Sequence, residues 1–204
     1  HNRTHSFPTR RSSDLMVSIT AFGEAEKPVF RRGARVGDYL MVCGRLGWSK
    51  LGLTQLLNGV KTSQFIKAHF EVEPLLVEGM TLGKYASAMM DVSDGLLKDL
   101  KRLCTASGTG AEIDGDSLDM DPAYLSACRE FQLEPLETAL NGGEDYALLF
   151  SISPEALKEV GRIDSGAPLR VIGRIVQKER GVRVFSQGQE LNIHREGFDH
   201  FDMT

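Results

Sequence analysis

A chain of 204 residues that is 41% apolar and 25% charged has the make-up of a folded globular protein of one large domain, or one domain with part of a second, and not of a disordered chain. Its net charge of -4, with both signs interspersed, supplies no basic field of the kind that attracts nucleic acid, and its longest apolar runs, such as Tyr146 to Phe150, fall far short of the roughly 20 residues that a membrane span requires. Cys43, Cys104 and Cys128 form no Cys-x-x-Cys pair, so neither a disulfide framework nor a zinc knuckle is indicated, and a reducing, cytoplasmic setting is expected.

Residues 1–15, "HNRTHSFPTRRSSDL", carry Arg3, Arg10 and Arg11 among Ser and Thr residues but no apolar periodicity. The stretch lacks the amphipathic pattern of a transit peptide and resembles the translation of a sequencing adapter, so it is set apart from the fold. Residues 16–29 begin with "MVSITAFGE", whose Val17, Ile19 and Thr20 read as a strand, the last strand of a truncated N-terminal domain followed by a linker. Residues 30–204 then read as a second, C-terminal domain.

Within that domain "DYLMVCG" reads as a buried strand, and "WSKLGLTQLLNG" as a short helix stopped at Asn58 and Gly59. "PLLVEGMTLGKY" opens on Pro74, which suits a first helical turn, and "ASAMMD" is a short strand. Leu96, Leu97, Leu100, Leu103 and Cys104 recur at helical spacing, with Lys98, Asp99, Lys101 and Arg102 on the opposite, polar face. "GAEID" follows as a strand, and "DPAYLSACREF" as a helix with Asp121 at its N-cap and Pro122 behind it. "YALLFSIS" is a strand apolar on both faces, "SPEALKEVG" a helix with a glycine stop, and "LRVIGRIV" and "GVRVFS" are late strands. Helices and strands mixed without strict alternation predict an α/β or α+β fold, a mixed sheet packed with helices.

Two acidic junctions interrupt this plan. In "MMDVSDGLLKDL", Ser93 or Asp94 is a natural N-cap for the helix of Leu96 to Cys104, because Ser and Asp oxygens accept the orphan N–H groups of a first turn. Asp91, at the end of a buried strand, is not explained by capping, since a carboxylate there needs a charge, a hydrogen-bond donor or a metal. Asp91 and Asp94 together could offer oxygen ligands to Mg2+ while the helix N-terminus and Ser93 face phosphate oxygens. In "LNGGEDYALLF", a tight turn at Gly142 and Gly143 precedes Glu144, which places a carboxylate beside a backbone that something can approach closely. His69, His194 and His200 show no metal-ligand spacing and read as surface or cap residues.

The series "AMMDVSDGLLKDL", "SGTGAEID", "LNGGEDYALLF", "IGRI" and "GFDHF" resembles the C-terminal part of the thiamine-monophosphate kinase family, and "VSITAFGEA" with "FRRGARVGDYLMVCGRLG" is similar to its linker and first strand. The resemblance implies the C-terminal domain of the aminoimidazole ribonucleotide synthetase-like superfamily. It further implies transfer of the ATP γ-phosphate to thiamine monophosphate, giving thiamine diphosphate, with Mg2+ as cofactor and ATP as co-substrate. By the same resemblance Asp91 and Asp94 would hold Mg2+, and Ser93 and Arg31 would bind the nucleotide, with Arg32 as the alternative to Arg31. Glu144 and Phe198 would hold thiamine monophosphate. The full-length parent is expected to be a homodimer, and this chain, lacking the domain that supplies the opposite half of the metal site, is expected to be inactive alone. Other superfamily enzymes and a non-catalytic nucleotide- or partner-binding module are the rival readings. Two positions depart from the family pattern: Ala147 stands where a glutamate commonly follows the tyrosine, and "LGWSKLGL" stands for "LGDSAAGL".

Overall fold

The computed structural model describes residues 18–20, 22–118 and 120–193. The stretch expected as a strand near the start has no regular secondary structure at 18–20 or 22–25. The first strand is β1 (Tyr39–Cys43), followed by α1 (Trp48–Leu57), α2 (Gln64–Phe70) and α3 (Leu76–Leu82). Strand β2 (Ala86–Val92) leads into α4 (Leu96–Ser107) and β3 (Thr109–Asp114), and a 3-10 turn then precedes α5 (Pro122–Glu130) and α6 (Pro135–Asn141). The chain continues through β4 (Ala147–Ile152), α7 (Leu157–Val160), β5 (Leu169–Gln177), β6 (Val182–Ser186) and β7 (Gln189–Leu191).

These strands make one mixed seven-stranded sheet in the order β2-β4-β1-β5-β3-β6-β7. Every pairing is antiparallel except that of β3 with β6. The central strands are apolar on both faces, as their sequences require, and their alternate residues enter two different cores. Leu40, Val42 and Leu149 meet the apolar stripe of α4, whereas Met41, Phe150 and Ile152 meet Leu82 of α3 and Val160 of α7. A third cluster joins Leu51 of α1, Phe65 of α2, and Tyr124 and Cys128 of α5. The α4 stripe is the largest contribution from one helix: Leu96, Leu100 and Leu103 are all fully buried, each stabilising the fold by about 1.5–3 kcal/mol.

Several sequence expectations are met, including α5 with Asp121 accepting the Ala123 N–H at 2.7 Å. The "SPEALKEVG" helix is shorter than its start and stop signals suggest, only Leu157–Val160, with a turn before it. Helices α2 and α6 were not anticipated; both are seven residues long, too short to show a clear periodicity.

The start of α4 differs from expectation in an informative way. Neither Ser93 nor Asp94 caps it; Gly95 stands at the N-cap with φ 111° and no side-chain cap. The Asp99 side chain, expected on the polar solvent face, is instead fully buried. Its Oδ2 accepts the backbone N–H groups of Ser93 and Asp94, each at 2.9 Å, and its Oδ1 accepts from Arg102 Nη1 at 2.7 Å. A buried carboxylate is tolerable only with such partners. The turn between β2 and α4 is therefore held from inside the helix. Replacing Asp99 with Asn removes the charge from three hydrogen bonds and is expected to cost about 2–3 kcal/mol, read as a lower urea midpoint at unchanged m-value.

Candidate functional site

The two acidic junctions are one place. Glu144 N–H donates to Ser93 O at 2.8 Å and Tyr146 N–H to Val92 O at 2.9 Å, stitching the Gly-Gly-Glu-Asp-Tyr turn to the end of β2. The turn makes this contact through an unusual backbone, because Glu144 (φ 65°) and Tyr146 (φ 50°) both lie in the left-handed region without being glycine. The two glycines before them permit the approach. A Cβ on Gly143 would come within 2.8 Å of Ser93 O, and one on Gly142 within 2.5 Å of Thr138 O. The neighbour that approaches this turn is thus the protein's own backbone, where the sequence left open a ligand.

Asp91 is exposed, which corrects the expectation of a carboxylate trapped at the end of a buried strand. It lies at the sheet edge opposite Leu148, one residue before β2 ends. Asp94 is half-buried in the turn, with Oδ2 receiving Arg102 Nη2 at 2.6 Å and Lys98 Nζ at 3.6 Å. Partial burial opposes its ionisation, but the Arg102 hydrogen bond and the charges of Arg102 and Lys98 outweigh that and lower its pKa. Tyr146 Oη donates to Glu144 Oε2 at 2.8 Å. That hydrogen bond, burial, and the negative charges of Glu144, Asp91 and Asp94 all push the phenol up, so the four groups share one electrostatic neighbourhood. Among the described residues no three His, Cys, Asp or Glu side chains form a ready metal cage. The donor chemistry nonetheless suits Mg2+, which keeps most of its waters and takes one or two carboxylates together with substrate phosphates.

Arg31 is brought near by two tethers. Phe30 O accepts from Met89 N at 2.9 Å at the edge of β2, and Ser107 Oγ accepts from the N–H groups of Gly33 and Ala34 at 3.1 and 3.2 Å at the end of α4. Arg31 consequently shares a shallow recess with Lys98, Lys101 and Arg102. On the other side of the turn, Ser93, Asp94 and Glu144 line a cleft of about 500 Å3 whose far wall includes Ser49, Lys50 and His69. His69 is no isolated surface residue: its Nδ1 lies 2.8 Å from Ser49 Oγ. Phe198 lies outside the described residues. Arg32, the alternative to Arg31, stacks its guanidinium over Phe30 at 5.2 Å from the ring centre.

Sequence reasoning missed three residues that build this site: Asp99, Arg102 and Asp145. Asp145 accepts from the N–H groups of Gly47 at 2.6 Å and Ser49 at 3.0 Å, so it caps α1, the helix forming the far wall of the cleft. A glutamate-aspartate pair after a turn gives no hint of which carboxylate points inward. Asp145 is densely surrounded although it keeps some solvent contact, and burial pushes its carboxyl up to about 7, against the opposing pull of the Ser49, Gly47 and Trp48 N–H groups.

This site, at the strand-to-helix edge of a mixed sheet, defines the class. The chain belongs to the AIR synthase related protein family, carrying its C-terminal domain over residues 35–186. Within that family its similarity is to thiamine-monophosphate kinases. It is 33% identical over 202 residues to that of Salmonella typhimurium, a match covering 95% of this chain and 61% of the relative, and 34% identical over 178 residues to that of Aquifex aeolicus, covering 82% and 58%. A solved structure described as AaThiL complexed with AMPPCP and TMP superposes with a TM-score of 0.70 at 34% identity, over 85% of this chain and 54% of that one. The chain thus spans about three fifths of the length of the curated relatives it matches.

Because the Asp145 carboxyl titrates higher in the folded chain than in the unfolded one, its contribution to stability is full at low pH and is lost as pH rises from the ordinary carboxylate range towards 7. Asp145→Asn removes this dependence. Urea midpoints measured at about pH 4.5 and about pH 7.5 should therefore fall less with rising pH in the variant than in the wild type.

Proposed function

We propose that this chain provides the nucleotide- and acceptor-binding face of a thiamine-phosphate kinase, which transfers the ATP γ-phosphate to thiamine monophosphate with Mg2+ as cofactor. The single observation that carries the reading is the hydrogen-bonded union of the Asp-Val-Ser-Asp-Gly and Gly-Gly-Glu-Asp-Tyr turns, which gathers Asp91, Ser93, Asp94 and Glu144 at one edge of the sheet. Its relatives by sequence support it, as does the solved AaThiL structure complexed with AMPPCP and TMP.

In this reading Asp91 and Asp94 hold Mg2+, whose role when bound is to neutralise charge on the transferring phosphoryl group. Arg31 contributes a fixed positive charge from the recess along α4, and the Ser93 hydroxyl contacts the nucleotide. Glu144 holds thiamine monophosphate, its orientation set by Tyr146 Oη on one oxygen. Phe198 stacks on the same substrate. The cleft of about 500 Å3 is of a size for a heteroaromatic ligand of this kind. No covalent intermediate with the protein is required, because the acceptor phosphate attacks directly and the protein's work is positioning and electrostatics.

The test is ATP-dependent formation of thiamine diphosphate, followed chromatographically with this chain joined to the remaining part of a thiamine-monophosphate kinase, beside the chain alone. Turnover is expected in the joined protein and not in the chain alone. Asp91→Asn in the joined protein should lower it about a hundredfold. Since Asp91 is exposed, the same substitution should leave folding stability within about 0.5 kcal/mol. A joined protein that folds and binds ATP but forms no thiamine diphosphate would contradict the reading.

A further inference from the structure

The ion pairs of the β2–α4 turn do more than neutralise charge. Arg102 reaches two carboxylates with two nitrogens: Nη1 meets Asp99 Oδ1 at 2.7 Å, and Nη2 meets Asp94 Oδ2 at 2.6 Å. The first contact is anchored, because Asp99 is fully buried and commits its other oxygen to two backbone N–H groups. The second is exchangeable, because the Arg102 side chain is 41% exposed and that of Asp94 21% exposed. A pair in which both side chains keep contact with water is screened, and another cation can compete with the guanidinium at the Asp94 oxygen. Lys98 Nζ, at 3.6 Å from the same oxygen, lies farther off and adds a second positive charge beside it.

We propose that Arg102 is the resident counter-cation of Asp94, a guanidinium that a divalent metal must displace and that then turns to the phosphates accompanying the metal. This rests on the reading of Asp94 as a metal ligand and goes beyond it. The exchange keeps charge balanced at every stage: before it, the Asp94 carboxylate is neutralised from within the chain, and after it, by the metal. The released nitrogen stays near the recess that Arg102 shares with Arg31, Lys98 and Lys101, because Asp99 still holds the guanidinium by its other arm. There it joins a set of cations suited to a polyphosphate, for which the planar guanidinium fork is a good match. Asp99 is then a positioning residue, acting only through Arg102 and the turn.

The experiment uses the 204-residue chain, with Mn2+ as the metal probe followed by the loss of its free-ion paramagnetic resonance signal, and with Mg2+-tripolyphosphate as the phosphate probe followed by calorimetry. Arg102→Gln should tighten Mn2+ binding by about two- to fivefold, the range an exposed ion pair corresponds to, while weakening tripolyphosphate binding. The opposite signs are the signature, since a purely structural loss would weaken both. Because removing the partner of Asp99 could unfold the turn, Arg102→Lys is measured alongside; lysine keeps a charge for Asp99 but lacks the fork, and should shift both affinities in the same directions by less. The gain in Mn2+ affinity should vanish when Asp94→Asn is added. Unchanged or weaker Mn2+ binding in both Arg102 variants overturns the proposal, as does tighter binding of both probes. If Asp94→Asn alone abolishes Mn2+ binding while the Arg102 variants show no gain, only the counter-cation role fails. If Asp94→Asn leaves Mn2+ binding intact, the reading of Asp94 as a ligand fails with it; if the wild type and the Arg102 variants bind none, the proposal fails for this chain, while the reading of Asp94 stands or falls with turnover of the joined protein.

Discussion

A single buried carboxylate organises the functional end of this domain. Asp99 projects from the first turn of α4 back into the loop that precedes the helix, and its two oxygens take up the Ser93 and Asp94 N–H groups and the Arg102 guanidinium. Those N–H groups belong to the residues that would otherwise have to leave the strand, turn and enter the helix without support. With them satisfied, the Ser93 carbonyl faces outward and receives the Glu144 N–H, so the second acidic turn docks onto the first. That bond, together with Tyr146 N–H to Val92 O, sets Glu144 beside Ser93 and Asp94.

A second carboxylate plays the matching part on the far side of the cleft. Asp145 ties the first turn of α1 to the Glu144–Tyr146 turn, so the helix bearing Ser49 and Lys50 is set at a fixed distance from the acidic edge. Both organising aspartates sit next to, or a few residues from, acidic side chains that face solvent. The carboxylates divide by partner: Asp99 and Asp145 accept backbone N–H groups and hold the frame, whereas Asp91 and Glu144 are exposed and Asp94 pairs with Arg102.

That separation is what the sequence could not display. The strands β1, β4 and β5 and the helix α4 were legible because long apolar runs and a clean helical stripe admit one reading, and two core faces follow from alternation along β1 and β4. The candidate residues Asp91, Ser93, Asp94 and Glu144 were legible as chemistry, and they do come together. Hidden were the partners of each carboxylate. Asp99 falls on the polar face of the α4 pattern and yet turns inward, because the turn behind it has donors to satisfy; a helical wheel counts residues around an axis and has no view of what lies beyond its end. The capping expectation for Ser93 and Asp94 failed for the same reason, since an acceptor five or six residues ahead did the work that a local oxygen usually does. Burial of Asp91 was misjudged because β2 lies at the sheet edge, a matter of strand order that no local pattern encodes.

The left-handed backbone at Glu144 and Tyr146 carries an implication for how such a turn persists over evolutionary time. Glycine would adopt those angles without the cost of about 1 kcal/mol that a side chain with a Cβ incurs there, so drift under selection for folding alone would favour glycine at both positions. In this chain the two side chains at those angles are joined by the Tyr146 Oη to Glu144 Oε2 hydrogen bond, a contact that glycine could not make, so the backbone cost stands against a side-chain bond.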